Sequence, residues 1–485
     1  MDKVPFQYDG TLYAEMIAEE AEEKTFLPTY LGFWAPWKPG LYFIAYSLFL
    51  PVTSTMFDSL EWIYKSPNLL FGALNAWILY LIAKRFVKED VALVVSLLFY
   101  SCFGVIYVES RLLMETFALF PILLSLLFYT DKRMPPILRF VGAGVFALLA
   151  ALTKSVISLM IIPLAIAYLV QSDRENLRNP FFLLSLLAPV LGLFIFYLAL
   201  QDVGLVEEVL VKDTGKFFVY DYFSRSFVSL FIGSSFFFIM YTAYALVSIK
   251  ALLQYWKKEL FFAVWFLLSL IPILSGSPML WHTYYMVPPL AFFAALAMTY
   301  KGKLDSFSLL LVVLLVSLNL AASALNPLQI HAMMGEYEYY TEAKQVGLAL
   351  SGKENVLITG MYPGSTTIVA YKILSERQSM GSPLDFGYVI LHSRGQQQEK
   401  GYFEDRLNAV VQNYHTQEYV FDESYAGMFA TPHCVRKPTN LTEFDFVAVF
   451  PSYLQLNDPR YQLVYNQSNF SIYERSGNSE PQQVP

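Results

Sequence analysis

Apolar residues are grouped along this chain in long blocks that alternate with short polar stretches. From residue 68 onward the blocks are roughly 17–23 residues long, enough for a helix to cross a hydrocarbon core of about 30 Å. The apolar region 137–171 would make one helix about 50 Å long, so we divide it into two spans at Thr153–Ser155. We predict about ten spans: 66–86, 90–108, 114–130, 137–153, 155–171, 180–200, 227–249, 259–275, 283–300 and 304–326.

The composition is that of a polytopic membrane protein with a mainly α fold. Hydrophobic residues make up 56% of the 485 residues, and charged residues only 15%. Aromatic residues reach 17%, as expected where rings lie at bilayer interfaces. The net charge of -7 argues against a nucleic-acid partner. The two cysteines, Cys102 and Cys434, have the spacing of neither a disulfide framework nor a metal site.

Basic residues are unevenly distributed between two alternating sets of short loops. Because basic loops remain in the cytoplasm, the richer set is predicted to be cytoplasmic. Both termini then lie on the extracytoplasmic side of the cell membrane, which the chain crosses many times. The richer set is Lys84, Arg85, Lys88, Lys132, Arg133, Arg139, Arg174, Arg178, Lys250, Lys257, Lys258, Lys301 and Lys303. The poorer set is Arg111, Lys154, Lys212, Lys216 and Arg225.

The predicted spans divide the chain into three parts. Residues 1–65 form an outer-face loop with juxtamembrane helices, residues 66–326 a transmembrane helical domain, and residues 327–485 an extracytoplasmic α/β domain. Within the first part, the apolar stretch Leu41–Leu50 has about ten residues, too few to span a bilayer. We predict an interfacial or re-entrant helix there.

The C-terminal part contains short apolar runs instead of spans. Val356–Gly360 and Phe446–Phe450 are typical of buried strands, and 462–465 followed by 470–474 indicates a terminal hairpin. The stretch after Pro363 has a helical pattern. This mixture is the basis for the predicted α/β domain.

The outer loops carry the candidate chemistry. Their charged residues include Asp9, Lys38, Glu109, Arg111, Glu115, Lys154 and Arg225. A carboxylate with several cations beside a bilayer suits a sugar carried on a lipid phosphate. The cations bind the phosphate, and a carboxylate serves as the general base. The glutamates at 19–23 are instead predicted to form a solvated helix face.

Several motifs in the first 300 residues resemble the outer loops of GT-C membrane glycosyltransferases. The similarity is to the branch that contains the protein O-mannosyltransferases and the lipid A aminoarabinose transferases. The matching motifs are Asp9-Gly-x-x-Tyr13-Ala, Lys38-Pro-Gly-Leu-Tyr42, Ser110-Arg111 with Glu115, Leu152-Thr-Lys154, and His282-Thr-Tyr284-Tyr-Met-Val-Pro288.

The resemblance implies a GT-C fold and transfer of a sugar from a polyprenyl- or dolichyl-phosphate donor by inverting single displacement. Asp9 would be the base that activates the acceptor, which is a protein, a lipid or a glycan. Glu109 would help to hold a divalent metal ion, and no organic cofactor is expected. The lipid phosphate is assigned to Lys38, Arg111 and Lys154. Substrate binding is assigned to Tyr13, Arg225, His282 and Tyr284.

Three departures from the family pattern affect this interpretation. Trp37 stands where several relatives carry an acidic metal ligand, and Gly40 replaces the second proline of their Lys-Pro-Pro corner. The relatives also have a span before the aspartate loop. We therefore expect either that this chain begins further upstream or that it is an inactive accessory homologue. A membrane transporter or lipid-handling protein is the other alternative.

Overall fold

The structure, a computed structural model, describes residues 6, 9–30, 33–34, 38–204, 206, 248–274, 284–299, 306, 309–317, 336–353, 356–361, 367–368, 371–372, 374–375, 388–393, 445–449, 460–466 and 470–476. Within these residues the chain is mainly helical, as predicted. The predicted span 304–326 and nearly all of 227–249 lie outside the described residues, apart from 248–249, 306 and 309–317.

Short elements precede the long helices. Helix α1 (Asp9–Glu23) is followed by a small antiparallel hairpin of β1 (Thr29–Tyr30) and β2 (Phe33–Trp34). Two seven-residue helices come next, α2 (Leu41–Ser47) and α3 (Leu50–Met56). Each is about 10 Å long, too short on its own to cross a hydrocarbon core, and the interfacial or re-entrant placement stays a prediction.

The central part is a bundle of longer helices. They are α4 (Leu60–Ala83), α5 (Glu89–Ser101), α6 (Phe103–Glu109), α7 (Glu115–Thr130), α8 (Pro136–Lys154), α9 (Ile161–Ser172), α10 (Pro180–Asp202), α11 (Leu260–Leu274) and α12 (Val287–Met298). Helix α10 shows how the sequence sets a boundary. The Asn179 side chain accepts a hydrogen bond from the Phe181 N–H, and Pro180 occupies the first turn.

Several helices of the described chain are apolar enough to be spans. Three stretches are also long enough to cross a membrane: Leu60–Ala83, Pro136–Ser172 and Pro180–Asp202. Shorter apolar helices occur at Glu115–Thr130, Leu260–Ile271 and Tyr284–Met298. All of these coincide with predicted spans, and the total of about ten stays a prediction.

Helices α8 and α9 are two separate helices that run in opposite directions instead of one long helix. Arg139 Nη1, near the start of α8, lies 2.5 Å from Asp173 Oδ2, which directly follows α9. In a continuous helix these residues would be about 50 Å apart, because each residue advances the axis by about 1.5 Å. The chain reverses in a 3-10 helix at Ser155–Met160. The predicted division at Thr153–Ser155 is therefore confirmed.

The two predicted sets of loops lie at opposite ends of the bundle. Arg85 Nη2 pairs with Asp131 Oδ2 at 2.9 Å, which joins the loops after α4 and α7. Lys154, at the end of α8, pairs with Glu115, at the start of α7. Because α7 runs from Glu115 to Thr130, these two pairs lie at its two ends. Which end faces the cytoplasm stays a prediction.

The C-terminal part contains a five-stranded sheet. Its strands are β3 (Val356–Met361), β4 (Tyr388–Ser393), β5 (Phe446–Val449), β6 (Tyr461–Asn466) and β7 (Ser471–Arg475), in the order β4-β3-β5-β7-β6. Strands β4, β3 and β5 are parallel, and β7 is antiparallel to both β5 and β6. Helix α13 (Glu336–Ala349) shares a core with the sheet through Val346. The predicted strands and the terminal hairpin are confirmed, and the domain boundaries stay predictions.

Candidate functional site

A cluster of buried polar side chains lies at the end of the bundle that contains Lys154. Its members come from α2, α4, the turn between α6 and α7, the end of α8 and the residues just before α12. Ionisable groups buried within a bundle of apolar helices indicate a functional site. We call this set the polar cluster: Tyr42, Tyr46, Asn68, Glu109, Arg111, Glu115, Lys154, Tyr284 and Tyr285.

An ion pair between Lys154 and Glu115 lies inside the polar cluster. Lys154 Nζ contacts Glu115 Oε1, and the two side chains are only 14% and 3% exposed. Lys154 Nζ also lies 5.7 Å from the centroid of the Tyr285 ring, within the range of a cation–π contact. Glu115 is in the first turn of α7 and Lys154 in the last turn of α8, where the helix dipoles favour their charges. The pair therefore joins two helices at a point shielded from water.

Two tyrosine hydroxyls lie next to this pair. Tyr42 and Tyr285 are fully buried, and neither hydroxyl has a hydrogen-bond partner among the described residues. Burial, together with nearby Tyr46 and Glu115, raises the pKa of Tyr42 well above its ordinary value, so its hydroxyl keeps the proton. A buried hydroxyl without a partner costs about 1–3 kcal/mol. Each of the two hydroxyls therefore keeps a proton that no described residue accepts.

Glu109 lies in a closely packed part of the polar cluster, where it contacts Gly72 and Tyr284. The Tyr284 hydroxyl donates to Glu109 Oε1 at 3.3 Å, and the carboxyl group packs on the bare backbone of Gly72 in α4. A Cβ atom at Gly72 would lie less than 3.0 Å from both carboxyl oxygens. Burial raises the pKa of Glu109 well above its ordinary value, and the hydrogen bond from Tyr284 offsets this only in part.

The metal role predicted for Glu109 stays a prediction. Among the described residues, no group of three or more His, Cys, Asp or Glu side chains is placed to hold a metal ion. We therefore derive no step of the chemistry through a metal at Glu109.

Arg111 lies in the turn between α6 and α7. Its guanidinium carbon lies 3.5 Å from the centroid of the Tyr107 ring, and the residue is buried. Its carbonyl oxygen accepts a hydrogen bond from Asn68 Nδ2 at 2.7 Å, and Asn68 Oδ1 accepts one from the Tyr46 hydroxyl. Helices α2 and α4 thus fix the backbone that carries Arg111.

Helix α1 brings Asp9 to the same end of the bundle. Asp9 is its first residue. A Cβ atom at Gly10 would lie 3.3 Å from the Leu112 carbonyl oxygen, so the first turn of α1 packs on the residue after Arg111. The structure therefore places the start of α1 beside Arg111, as the predicted joint role of these residues requires.

The glutamates of α1 differ from the prediction. Glu19 and Glu20 are 4% and 3% exposed, so the predicted solvated helix face is wrong for both. Glu15, one turn earlier, is also buried. Burial extends along nearly the whole helix, which also includes Ala14 and Ile17 in the main core. Most of helix α1 is therefore covered by other segments of the same chain.

The corner Lys38-Pro39-Gly40 is closely packed. Lys38 is partly buried and lies three residues before the start of α2. A Cβ atom at Gly40 would fall less than 3.0 Å from the Phe26 carbonyl oxygen and carbon. This explains why the second proline of the family corner is a glycine here, because the facing backbone leaves no room for a ring.

The other predicted substrate residues are only partly within the described chain. The Tyr13 ring is buried and packs edge-on against Tyr42 and Phe43, at 5.7 and 5.6 Å between centroids. It therefore joins α1 to α2. Trp37, Arg225 and His282 lie outside the described residues. The roles assigned to all predicted site residues stay predictions.

Sequence reasoning missed the contribution of α4. Asn68, Gly72 and Asn75 are spaced by four and three residues, which places them on one face of the helix. Asn75 Nδ2 donates to the Thr116 carbonyl oxygen at 2.8 Å, and Asn68 and Gly72 contact the turn that carries Glu109 and Arg111. Two asparagines at helical spacing in an apolar segment were the signal that could have identified this face.

Comparisons with known proteins relate the chain to a family and to a fold. Residues 40–199 match the family model described as dolichyl-phosphate-mannose-protein mannosyltransferase. The crystal structure of ArnT from Cupriavidus metallidurans bound to undecaprenyl phosphate matches with a TM-score of 0.62 and 13% identity, over 99% of this chain and 96% of that one. Its apo structure matches with a TM-score of 0.60 and 14% identity, over 97% and 94%. No curated protein matches the chain in sequence.

These findings confirm the predicted resemblance to the GT-C membrane glycosyltransferases. The two ArnT matches show that the chain shares the fold of that protein. The family match adds a segment that contains the whole turn from Glu109 to Glu115 and the Lys154 corner.

Proposed function

We propose that this protein is a membrane glycosyltransferase that takes a sugar from a polyprenyl- or dolichyl-phosphate donor and transfers it to an acceptor on the extracytoplasmic face. The observation that carries the proposal is the shielded Lys154–Glu115 pair near Tyr42 and Tyr285, whose hydroxyls have no hydrogen-bond partner among the described residues. A cation and two hydroxyl donors at the end of a membrane bundle are the groups that a lipid phosphate needs. The ArnT structure named above contains such a lipid, undecaprenyl phosphate.

The proposed reaction is a single displacement at the anomeric carbon of the donor. The acceptor hydroxyl oxygen forms the new bond while Asp9 accepts its proton. The bond between the anomeric carbon and the phosphate oxygen breaks, and the lipid phosphate leaves with the electron pair. Lys38, Arg111 and Lys154 stabilise the charge that grows on it. One attack from the opposite face inverts the anomeric configuration.

The charge distribution favours an enzyme over a transporter. A transporter is expected to carry ionisable residues along a path through its spans. In the described spans the charges lie near helix ends instead. Helix α4 carries Glu61 and Lys65 in its first two turns, and α10 carries only Asp202, at its last residue.

The test is turnover of labelled donors by the purified full chain in lipid nanodiscs. A panel of polyprenyl-phosphate sugars is offered with protein, lipid and glycan acceptors, and transferred label is measured. We expect Asp9→Asn to lower turnover by about 100-fold or more, since it removes the general base. Asp202→Asn, an exposed aspartate at the end of α10, is the matched control and should keep full activity. Full turnover by Asp9→Asn would refute the assignment of the base, and no turnover of any donor would refute the function.

A further inference from the structure

A second buried network joins the C-terminal part to the bundle, away from the polar cluster. Its centre is Glu61, which is 1% exposed in the first turn of α4. Glu61 Oε1 lies 2.5 Å from Lys344 Nζ of α13 and accepts a hydrogen bond from the Tyr371 hydroxyl at 2.6 Å. Its other oxygen accepts one from the Ser59 hydroxyl at 3.0 Å. The buried carboxylate is thus fully engaged by groups from two distant parts of the chain.

The Tyr371 hydroxyl has two partners with opposite roles. Its single proton is donated to Glu61, so the hydroxyl oxygen is free to accept a hydrogen bond. It accepts one from the backbone N–H of Phe6 at 2.9 Å. Because Glu61 fixes the direction of the O–H bond, it also fixes the lone pair that faces Phe6. Tyr371 therefore connects α4 to the N-terminal chain.

The side chain of Phe6 is held at the same place. Its ring is fully buried, with centroids 5.3 Å from the Tyr371 ring and 6.0 Å from the Tyr64 ring. Lys65 Nζ lies 5.2 Å from the centroid of the Phe6 ring. Both the backbone and the ring of Phe6 are thus clamped between α4 and Tyr371.

Phe6 lies three residues before Asp9, the start of α1. Three residues of chain reach only about 10 Å, so fixing Phe6 strongly limits where α1 can begin. Directly after Asp9 in the sequence, the contact of Gly10 with Leu112 fixes the first turn of α1. The position of the Asp9 backbone is therefore limited by contacts before it, at Phe6, and after it, at Gly10.

We propose that Tyr371 and Glu61 are positioning residues that hold the start of α1, and with it Asp9, against the turn that carries Arg111. For catalysis this rests on the proposed function. It assigns the C-terminal part a role in completing the site, in addition to any contact with an acceptor.

The first test measures the position of α1 without any substrate. Ala14, in α1, and Ala143, in α8, are both fully buried. Each is replaced separately by cysteine in a full-length chain carrying Cys102→Ala and Cys434→Ala, and the rate of maleimide labelling is measured. We expect Tyr371→Phe to raise the labelling rate at Ala14→Cys about 10-fold by local opening, and to leave Ala143→Cys protected. Tyr473→Phe, a buried tyrosine of β7 outside the network, should change neither rate.

The second test is kinetic. Tyr371→Phe should lower kcat about 10-fold, because a small displacement of the general base lowers the reaction rate. The KM for the lipid donor should stay within about 2-fold of the wild-type value. Glu61→Gln should show the same pattern. Any of three results for Tyr371→Phe would overturn the inference. The labelling rate at Ala14→Cys could stay the same, the rate at Ala143→Cys could rise as much as the rate at Ala14→Cys, or kcat could stay the same. If the parent chain transfers no sugar, the proposed function fails, and the labelling result alone decides whether Tyr371 positions α1.

Discussion

Replacing Gly72 by alanine tests the packing of Glu109 against α4. The added methyl group would lie less than 3.0 Å from both carboxyl oxygens of Glu109, so the carboxyl group must move. Movement breaks its hydrogen bond from Tyr284, which contributes about 1 kcal/mol. Forcing an extra methyl group into a packed interior costs about 1–3 kcal/mol. The better helix propensity of alanine returns about 1 kcal/mol.

The sum is a net destabilisation of about 1–3 kcal/mol for Gly72→Ala. The assay is thermal unfolding of the purified protein in detergent, followed by size-exclusion chromatography of the fraction that remains folded. Gly144→Ala is the matched control, because a Cβ atom at Gly144 meets its nearest neighbour, Ser185, at an ordinary distance of 3.4 Å. Its Tm should stay the same or rise.

A double-mutant cycle isolates the contact. Glu109→Ala removes the atoms that a methyl group at Gly72 would strike, so the cost of Gly72→Ala should largely disappear in that background. We expect a coupling energy of about 1–3 kcal/mol. A Gly72→Ala variant that melts at or above the wild-type Tm, together with additive effects in the cycle, would refute the reasoning.

Three further predictions concern other described contacts. Gly40→Ala should lower the Tm at least as much as Gly72→Ala, because the added methyl group meets rigid backbone at Phe26; an unchanged Tm would contradict this. Lys154→Met alone should cost about 3–5 kcal/mol, since it leaves the buried Glu115 carboxylate uncompensated. Adding Glu115→Gln should recover much of that loss in thermal unfolding, and purely additive costs would contradict it. Because burial raises the pKa of Glu109, stability should fall as the pH rises from the ordinary value of about 4.3 toward the raised pKa. Glu109→Gln should flatten this slope in Tm measured against pH, and an equal slope in both proteins would contradict it.

Much of the fold follows from local patterns in the sequence. The α8–α9 pair was predictable because 35 apolar residues exceed the thickness of a bilayer. The strands near Val356 and Phe446 were predictable because short apolar runs between turn residues have few other solutions. Counting Lys and Arg divided the loops into two sets, and the side of the membrane that each set faces stays a prediction.

The candidate site was less predictable because its contacts join distant residues. Glu109 meets Gly72, and Glu61 meets both Lys344 and Tyr371, across separations that no local pattern encodes. The error at Glu19 and Glu20 has the same origin. Charge alone predicts exposure, whereas burial of α1 depends on the neighbours it packs against.

The short 3-10 turn between α8 and α9 limits how the length of this chain can vary. Lys154, before the turn, is tied to Glu115, and Asp173, after α9, is tied to Arg139. The path between these two anchors is therefore fixed at both ends. One inserted residue would rotate α9 by about 100° and turn the buried face of that helix outward. Insertions should therefore be accepted at 174–178, where no residue is buried, but not at 155–160.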